Sequence, residues 1–258
     1  MRAKGLEDFV FSWKFVTCLL LAQFLLVPIA TRNFGWADSG IIVAYTLSHA
    51  LFQQMLSYGW VFQVVALVVL LMLTLSRNRW CTRLFMYYGG IVNILYAVIQ
   101  NAAVSEKYGL SIVTVNVVMM LFVGCMWLRA AGKKECIFVF ENLSWRKTWM
   151  IPVALFCLWW PMDLQTALPV ADVMLLFTGA SGMAFCLMTP VFLVVLLLNK
   201  ESDAVLLQSS AWVGLVISIY NMANFVNETG FYLGIYHLPL LLMSLYTLLF
   251  MKKRRRYV

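Results

Sequence analysis

Residues 84–104 read LFMYYGGIVNILYAVIQNAAV, and residues 109–128 read GLSIVTVNVVMMLFVGCMWL. Neither stretch contains a charged residue. Each is about 20 residues long, enough to carry a helix across ~30 Å of hydrocarbon. Neither alternates apolar and polar residues in the ~10-residue segments that mark a transmembrane β-barrel, which excludes that architecture. The rest of the chain follows the same plan. It is 63% hydrophobic and only 12% charged, where a soluble domain carries about 25% charge, and its charges cluster between apolar runs. Backbone groups in hydrocarbon must be satisfied within the segment, so the runs are expected to be helices. The sequence predicts an all-α polytopic membrane protein with eight transmembrane helices, near residues 10–30, 57–76, 84–104, 109–129, 148–166, 173–199, 206–227 and 231–251. No segment is long enough for a soluble domain.

Basic residues give the orientation, because cytoplasmic loops carry the excess of Lys and Arg. With the N-terminus inside, 17 of the 19 basic residues fall on the inner side, and only Arg32 and Lys107 lie outside. Five acids lie outside as well: Asp38, Glu106, Asp163, Asp172 and Glu228. The expected location is the plasma (cytoplasmic) membrane, with both termini cytoplasmic. The tail KKRRRYV is read as an anchor beside anionic headgroups, worth about 1 kcal/mol per basic residue near such a surface, and not as a nucleic-acid site. The first span lacks a small-residue cleavage site and reads as an uncleaved anchor. The six cysteines show no C-x-x-C and no metal spacing with histidine.

Two uncharged segments exceed one crossing. From Gly40 to Arg77 the chain runs about 36 residues without charge, ~54 Å as a single helix. Two crossings would put SRNRWCTR outside against the charge rule. The expectation is therefore a short outer-face or re-entrant helix at 41–56, followed by a break at Ser57–Trp60 and one span. Its polar face would carry Tyr45, Ser48, His49, Phe52 and Gln53. It would cover Gln100, Asn101 and Glu228, with His49 approaching Glu228, Gln100 or Asp163. Residues 169–199 are also long, and TGASG (178–182) weakens the helix near their start. Such a run reads either as close helix packing or as a broken helix beside a cavity.

The two halves resemble each other in order. SWK at 12 aligns with SWR at 144, LLVP ending at Pro28 with LWWP ending at Pro161, and VFQVV at 61 with VFLVV at 191. This suggests a parallel duplication of two four-span halves, 1–135 and 136–258, within one membrane domain. In that alignment Asn93, Tyr96 and Gln100 fall on Asn221, Asn224 and Glu228. Both sets are spaced i, i+3, i+7, one face of a helix, and Asn101 lies beside Gln100. Buried amides need partners. They are either interhelical glue or the wall of a cavity open to the outside.

His49, Gln53, Asp163, Gln165, Asp172, Glu228 and His237 map to the same outer half. The candidate substrate-binding set is Asn93, Tyr96, Gln100, Asn101, Asn221, Asn224, Glu228, His49 and Asp163. No catalytic or metal-binding residue is assigned, and no motif calls for a cofactor. There is no glycine-rich phosphate loop, G-x-S-x-G, H-E-x-x-H or paired-aspartate motif. Three functions fit. The first is a transporter or channel-like protein for a small polar or cationic solute. The second is a non-catalytic membrane subunit or assembly factor packed against another membrane protein. The third is an embedded enzyme acting on lipid at the outer leaflet, with Asp163, Asp172, Glu228 and His49 as acid/base candidates. The partners expected are the lipid bilayer and either a solute or a membrane-protein partner.

Overall fold

The computed structural model describes residues 2–76, 78–133, 138, 145–163, 166, 168–199, 202–226 and 231–255. In chain order the elements are α1 (Arg2–Val10), α2 (Trp13–Leu25), β1 (Ile29–Ala30), α3 (Ser39–Ser48), α4 (Leu51–Gln54), α5 (Gly59–Leu75) and α6 (Arg79–Ile99). They continue with β2 (Ala102–Ser105), β3 (Gly109–Ile112), α7 (Thr114–Ala131), α8 (Trp145–Thr148) and α9 (Met150–Trp159). The last are α10 (Leu175–Thr178), α11 (Phe185–Leu198), α12 (Ala204–Asn221) and α13 (Phe231–Arg255).

Five helices are long and apolar enough to cross a membrane: Leu56–Leu75, Arg79–Ile99, Thr114–Ala131, Ala204–Val226 and Phe231–Lys253. A sixth forms if Leu175–Met183 and Phe185–Leu198, bent by 98°, count as one broken span. Of the eight spans expected, five or six have a helix of this length and composition among the described residues. The segments expected at 10–30 and 148–166 hold helices of only 13 and 10 residues. The second stops because Pro161 disfavours helical geometry in the residue before it. Trp160 adopts φ 42°, and its N–H caps Phe156 O at 2.9 Å.

The two quoted stretches are helices with a short sheet between them. Asn78 starts α6, its side chain accepting from Trp80 N at 2.6 Å. At the other end Asn101 donates to the carbonyls of Tyr96 and Ala97. The chain then turns through β2 and β3, paired in antiparallel register from Ala102↔Ile112 to Ser105↔Gly109, and β1 adds on the far side of β3. Gly109 makes the turn with φ +63°, a conformation that suits glycine. The span expected from 109 therefore begins only at Thr114. This sheet defines the hairpin end of the molecule; Arg79, Arg129, Lys147 and Lys252 lie at the opposite, basic end.

α6 and α7 run antiparallel, with Gly90 against Leu128 and Asn101 against Met120. α12 and α13 also pair antiparallel, with Gly214 against Leu240 and Ser244. α6 and α12 are the central helices: 61% of an apolar 18-residue window in each span is buried, against 28% for the span that contains α5. Val61, Val64, Val68 and Leu71 of α5 form an apolar outer face. Inside, Phe85 packs its edge on Trp127, Phe138 and Phe192 at 5.4–5.8 Å.

The short helix expected at 41–56 is two helices, α3 and α4. They break at His49–Ala50, where Ala50 is extended at ψ 152°. The break expected at Ser57–Trp60 is instead a 3-10 turn, Leu56–Tyr58, that runs straight into α5. The face that turns inward is also different from the one expected. Ile42, Thr46 and Ala50 are buried, and Thr46 Oγ1 donates to Ser111 Oγ in β3 at 2.8 Å. His49 is exposed, stacked on Tyr45 at 4.0 Å and bonded to Ser48 and the Tyr45 carbonyl. It finds its partners within one turn on its own helix, so the expected approach to Gln100 or Asp163 does not form; Glu228 lies outside the described residues.

At the basic end Asp203 ties α7 to α12. Its carboxylate accepts from Leu206 N at 2.9 Å as the cap of α12, and it pairs with Lys133 at 2.5 Å and Arg129 at 3.4 Å. Burial works against the charged carboxylate. The hydrogen bond from Lys133, the Leu206 N–H and the two positive charges outweigh burial and hold the carboxyl below its usual value. Asp203→Ala should lower stability by ~1–2 kcal/mol, combining a lost cap and a half-exposed ion pair. A folded-state value below the unfolded one means the stabilisation is fully present above the usual carboxylate range and is lost as pH falls through the lowered value. Detergent melting curves taken downward from pH 5 should fall more steeply for the wild type than for Asp203→Asn. Parallel curves would refute the assignment.

Candidate functional site: a clasped helix break between two cavities

The segment TGASGMA (178–184) does not continue a helix. α10 ends at Thr178, Gly179 is extended, Ser181–Met183 form one 3-10 turn, and α11 starts at Phe185. Both readings of this run are realised. The chain is broken, and its small residues also permit close approach to α5. A Cβ on Gly182 would lie 2.6 Å from the carbonyl carbon and oxygen of Phe62.

Three side chains from two other helices hold the break. Gln63 on α5 is fully buried. It donates to the carbonyls of Leu158 at 2.8 Å and Leu176 at 2.9 Å, and accepts from Ser181 Oγ at 2.5 Å and Gly182 N at 2.9 Å. Tyr96 on α6 donates to Gly182 O at 2.7 Å. Gln100, one turn further, donates to Met183 O and accepts from Phe185 N at 3.4 Å. Broken backbone at this depth has unpaired N–H and C=O groups, and these amides supply what water would supply elsewhere. Two members of the stripe read on α6 thus meet the broken segment. Gln63 was missed. The only signal available in the sequence was one amide within the otherwise apolar VFQVV.

The remaining candidates are dispersed. Asn93 is buried and bonds back to Gly89 O at 2.7 Å, its Oδ1 having no partner among the described residues. Asn101 caps α6 and also reaches Met120 Sδ at 3.3 Å. Asn221 bonds back to Ile217 O at 2.9 Å and lies 3.9 Å from Cys186 Sγ on α11. Asn224 sits in the 3-10 turn Met222–Val226, half-buried. Glu228 and Gln165 lie outside the described residues, as does the expected boundary at 135–136.

Two cavities flank Trp160. The smaller one, about 180 Å³, is bounded by Gln100, Trp160, Cys186, Tyr236 and His237 together with apolar groups, and among the described residues its lining holds no Asp, Glu, Lys or Arg. Tyr236 Oη donates to Pro161 O at 2.6 Å. His237 Nδ1 lies 2.6 Å from Leu233 O. A carbonyl only accepts, so Nδ1 carries the proton and Nε2 is left as an acceptor. The second cavity, about 290 Å³, is a cleft that holds Asp163 and Asp172 and reaches Thr178, Gly179 and Ala180 of the break. Each carboxylate also holds its own turn, Asp163 through Thr166 N at 3.1 Å and Asp172 through Met174 N at 2.9 Å. Trp160 belongs to both walls, and among the described residues its buried indole N–H has no partner. Among the described residues no three His, Cys, Asp or Glu side chains come together as a metal site.

The apolar helices and the internally satisfied break define a membrane-embedded helical protein. Compared with protein families, with curated proteins and with solved structures, the chain matches none.

Proposed function

We propose that the protein is a transporter or channel-like protein of the cytoplasmic membrane, with both termini inside, that passes a small uncharged polar solute. The observation that supports this reading is the helix broken by 98° beside two cavities that share Trp160. Discontinuous membrane helices recur where transporters hold their substrates. The cleft with Asp163 and Asp172 would collect polar or cationic solutes from solution. The smaller cavity offers amide, thiol, phenol and imidazole groups and no carboxylate, Lys or Arg among the described residues, so a neutral solute suits it better than an ion. In this reading α2 and α9 also cross, which gives eight crossings in two four-segment halves. Asn93 and Asn221 bonding alike to the carbonyl four residues back is in keeping with that duplication.

The test is flux into proteoliposomes carrying a variant whose only cysteine is Cys186. Swelling in urea, glycerol or acetamide should depend on the protein and exceed that in potassium chloride, and a small neutral thiol reagent should block it. Absence of protein-dependent flux for every solute, from a monodisperse preparation, would overturn the proposal. One observation favours the second reading, a non-catalytic membrane subunit: Gln63, Tyr96 and Gln100 all bond to the broken segment as glue. A membrane protein co-purifying in fixed ratio, with no flux, would support that alternative.

A further inference from the structure

A larger cavity lies elsewhere, at the basic end, and the flux proposal does not use it. It encloses about 490 Å³ between Phe11, just past α1, and the faces of α12 and α13. Trp212 and Leu215 form one wall, and Leu245, Leu248 and Leu249 the other. Two polar residues stand near its basic edge, Gln208 on α12 and Lys252 on α13. Gln208 is half-buried, its Oε1 is enclosed, and its amide finds no hydrogen-bond partner among the described residues. Lys252 is exposed, the first of the run Lys252–Arg256.

An unpaired amide in an apolar wall is costly unless something else satisfies it. We propose that this cavity binds one anionic phospholipid. Lys252 meets the phosphate, Gln208 Nε2 donates to a phosphate or ester oxygen while its enclosed Oε1 accepts from a headgroup hydroxyl, and the first part of an acyl chain lies along Trp212, Leu215 and Leu245. The dimensions agree. From Gln208 to Leu215, and from Lys252 to Leu245, is seven residues, ~10 Å along each helix, the length of the upper part of an acyl chain at ~1.25 Å per methylene. The polar pair sits at the end where the sequence places the headgroups, and the apolar walls run toward the bilayer centre. A free phosphate would use Lys252 and leave the apolar walls empty, so the lipid is the occupant that explains both.

The experiment is native mass spectrometry of the full chain, delipidated and then titrated with phosphatidylglycerol or phosphatidylcholine of identical acyl chains. One phosphatidylglycerol should bind at least ~10-fold more tightly than phosphatidylcholine. Gln208→Leu, which leaves the charged tail unchanged, should weaken that first site 3- to 10-fold. Lys252→Gln should remove most of the preference. High salt should strip lipid held by the tail alone and spare the first site. Equal binding of the two lipids would overturn the proposal. So would a preference unaffected by both substitutions, or one abolished by salt, since either places the lipid on the tail. Melting curves on each variant establish that it is folded, and the wild-type salt titration decides the question without any variant.

Discussion

Gln63→Leu is expected to lower stability by ~2–4 kcal/mol, one of the two largest effects of a single substitution in this protein. Leucine matches the volume and suits the apolar neighbourhood, so hydropathy alone would score the change as neutral or favourable. The hydrogen bonds argue the opposite. Leu158 O can take the Ser181 hydroxyl, freed from Gln63, as a donor at 2.8 Å, but Leu176 O and Gly182 N lose the partner that Gln63 provides. Each orphaned buried group costs about 1–3 kcal/mol, and less within a membrane bundle where alternatives exist, ~0.6–2. In detergent the melting temperature should fall by roughly 4–16 °C at 2–4 °C per kcal/mol for a chain of this size. Ser181→Ala should cost only about 1 kcal/mol, because Gln63 retains Gly182 N as a donor. The double variant should then fall short of additivity. A Gln63→Leu protein that melts with the wild type would show that the break is held by packing and not by this amide.

Gly182→Ala should be comparably damaging, by ~2–4 kcal/mol, although it adds one methyl group. That methyl would sit 2.6 Å from the Phe62 carbonyl and 2.8 Å from Gln63 N, all of it backbone that cannot rotate away. The 3-10 turn would have to move off α5, stretching the bonds Gln63 makes to it. Overpacking that displaces backbone typically costs 1–3 kcal/mol, and the loosened hydrogen bonds add to it. Gly40→Ala supplies the control. A Cβ there meets nothing within 4 Å, and in the first turn of α3 alanine should be neutral or stabilising by up to ~1 kcal/mol. If both variants melt alike, the close approach at Gly182 is not a constraint.

The clasp was half legible. The i, i+3, i+7 spacing marked Asn93, Tyr96 and Gln100 as one face of a central helix, and TGASG marked a weak point in another. Nothing local says that the two meet: Tyr96 and Gly182 are 86 residues apart. Gln63 stayed hidden because a hydropathy window averages one amide into its apolar neighbours, whereas its role depends on four groups from other segments. His49 failed for a related reason. Its polar face looked as if it needed company from another helix, but Tyr45 and Ser48 supply that company within one turn, which spacing alone cannot rank against a distant partner.

The amino-acid sequence by itself determined that this chain is helical and embedded in a membrane, and it placed the weak segment at 178–182. These properties follow from solvent: uncharged apolar runs of about 20 residues must satisfy their backbone internally, and glycine destabilises a helix wherever it falls. Only the tertiary structure decided that α2 and α9 are short and that the 41–56 segment folds as two helices over a small sheet. It alone joined Gln63, Tyr96 and Gln100 on the broken segment and set Trp160 between two cavities. Those outcomes turn on which backbone groups are left unpaired after the helices have packed, and on which side chains then lie within 3 Å of them. That is a property of the assembled bundle and of no single stretch of it.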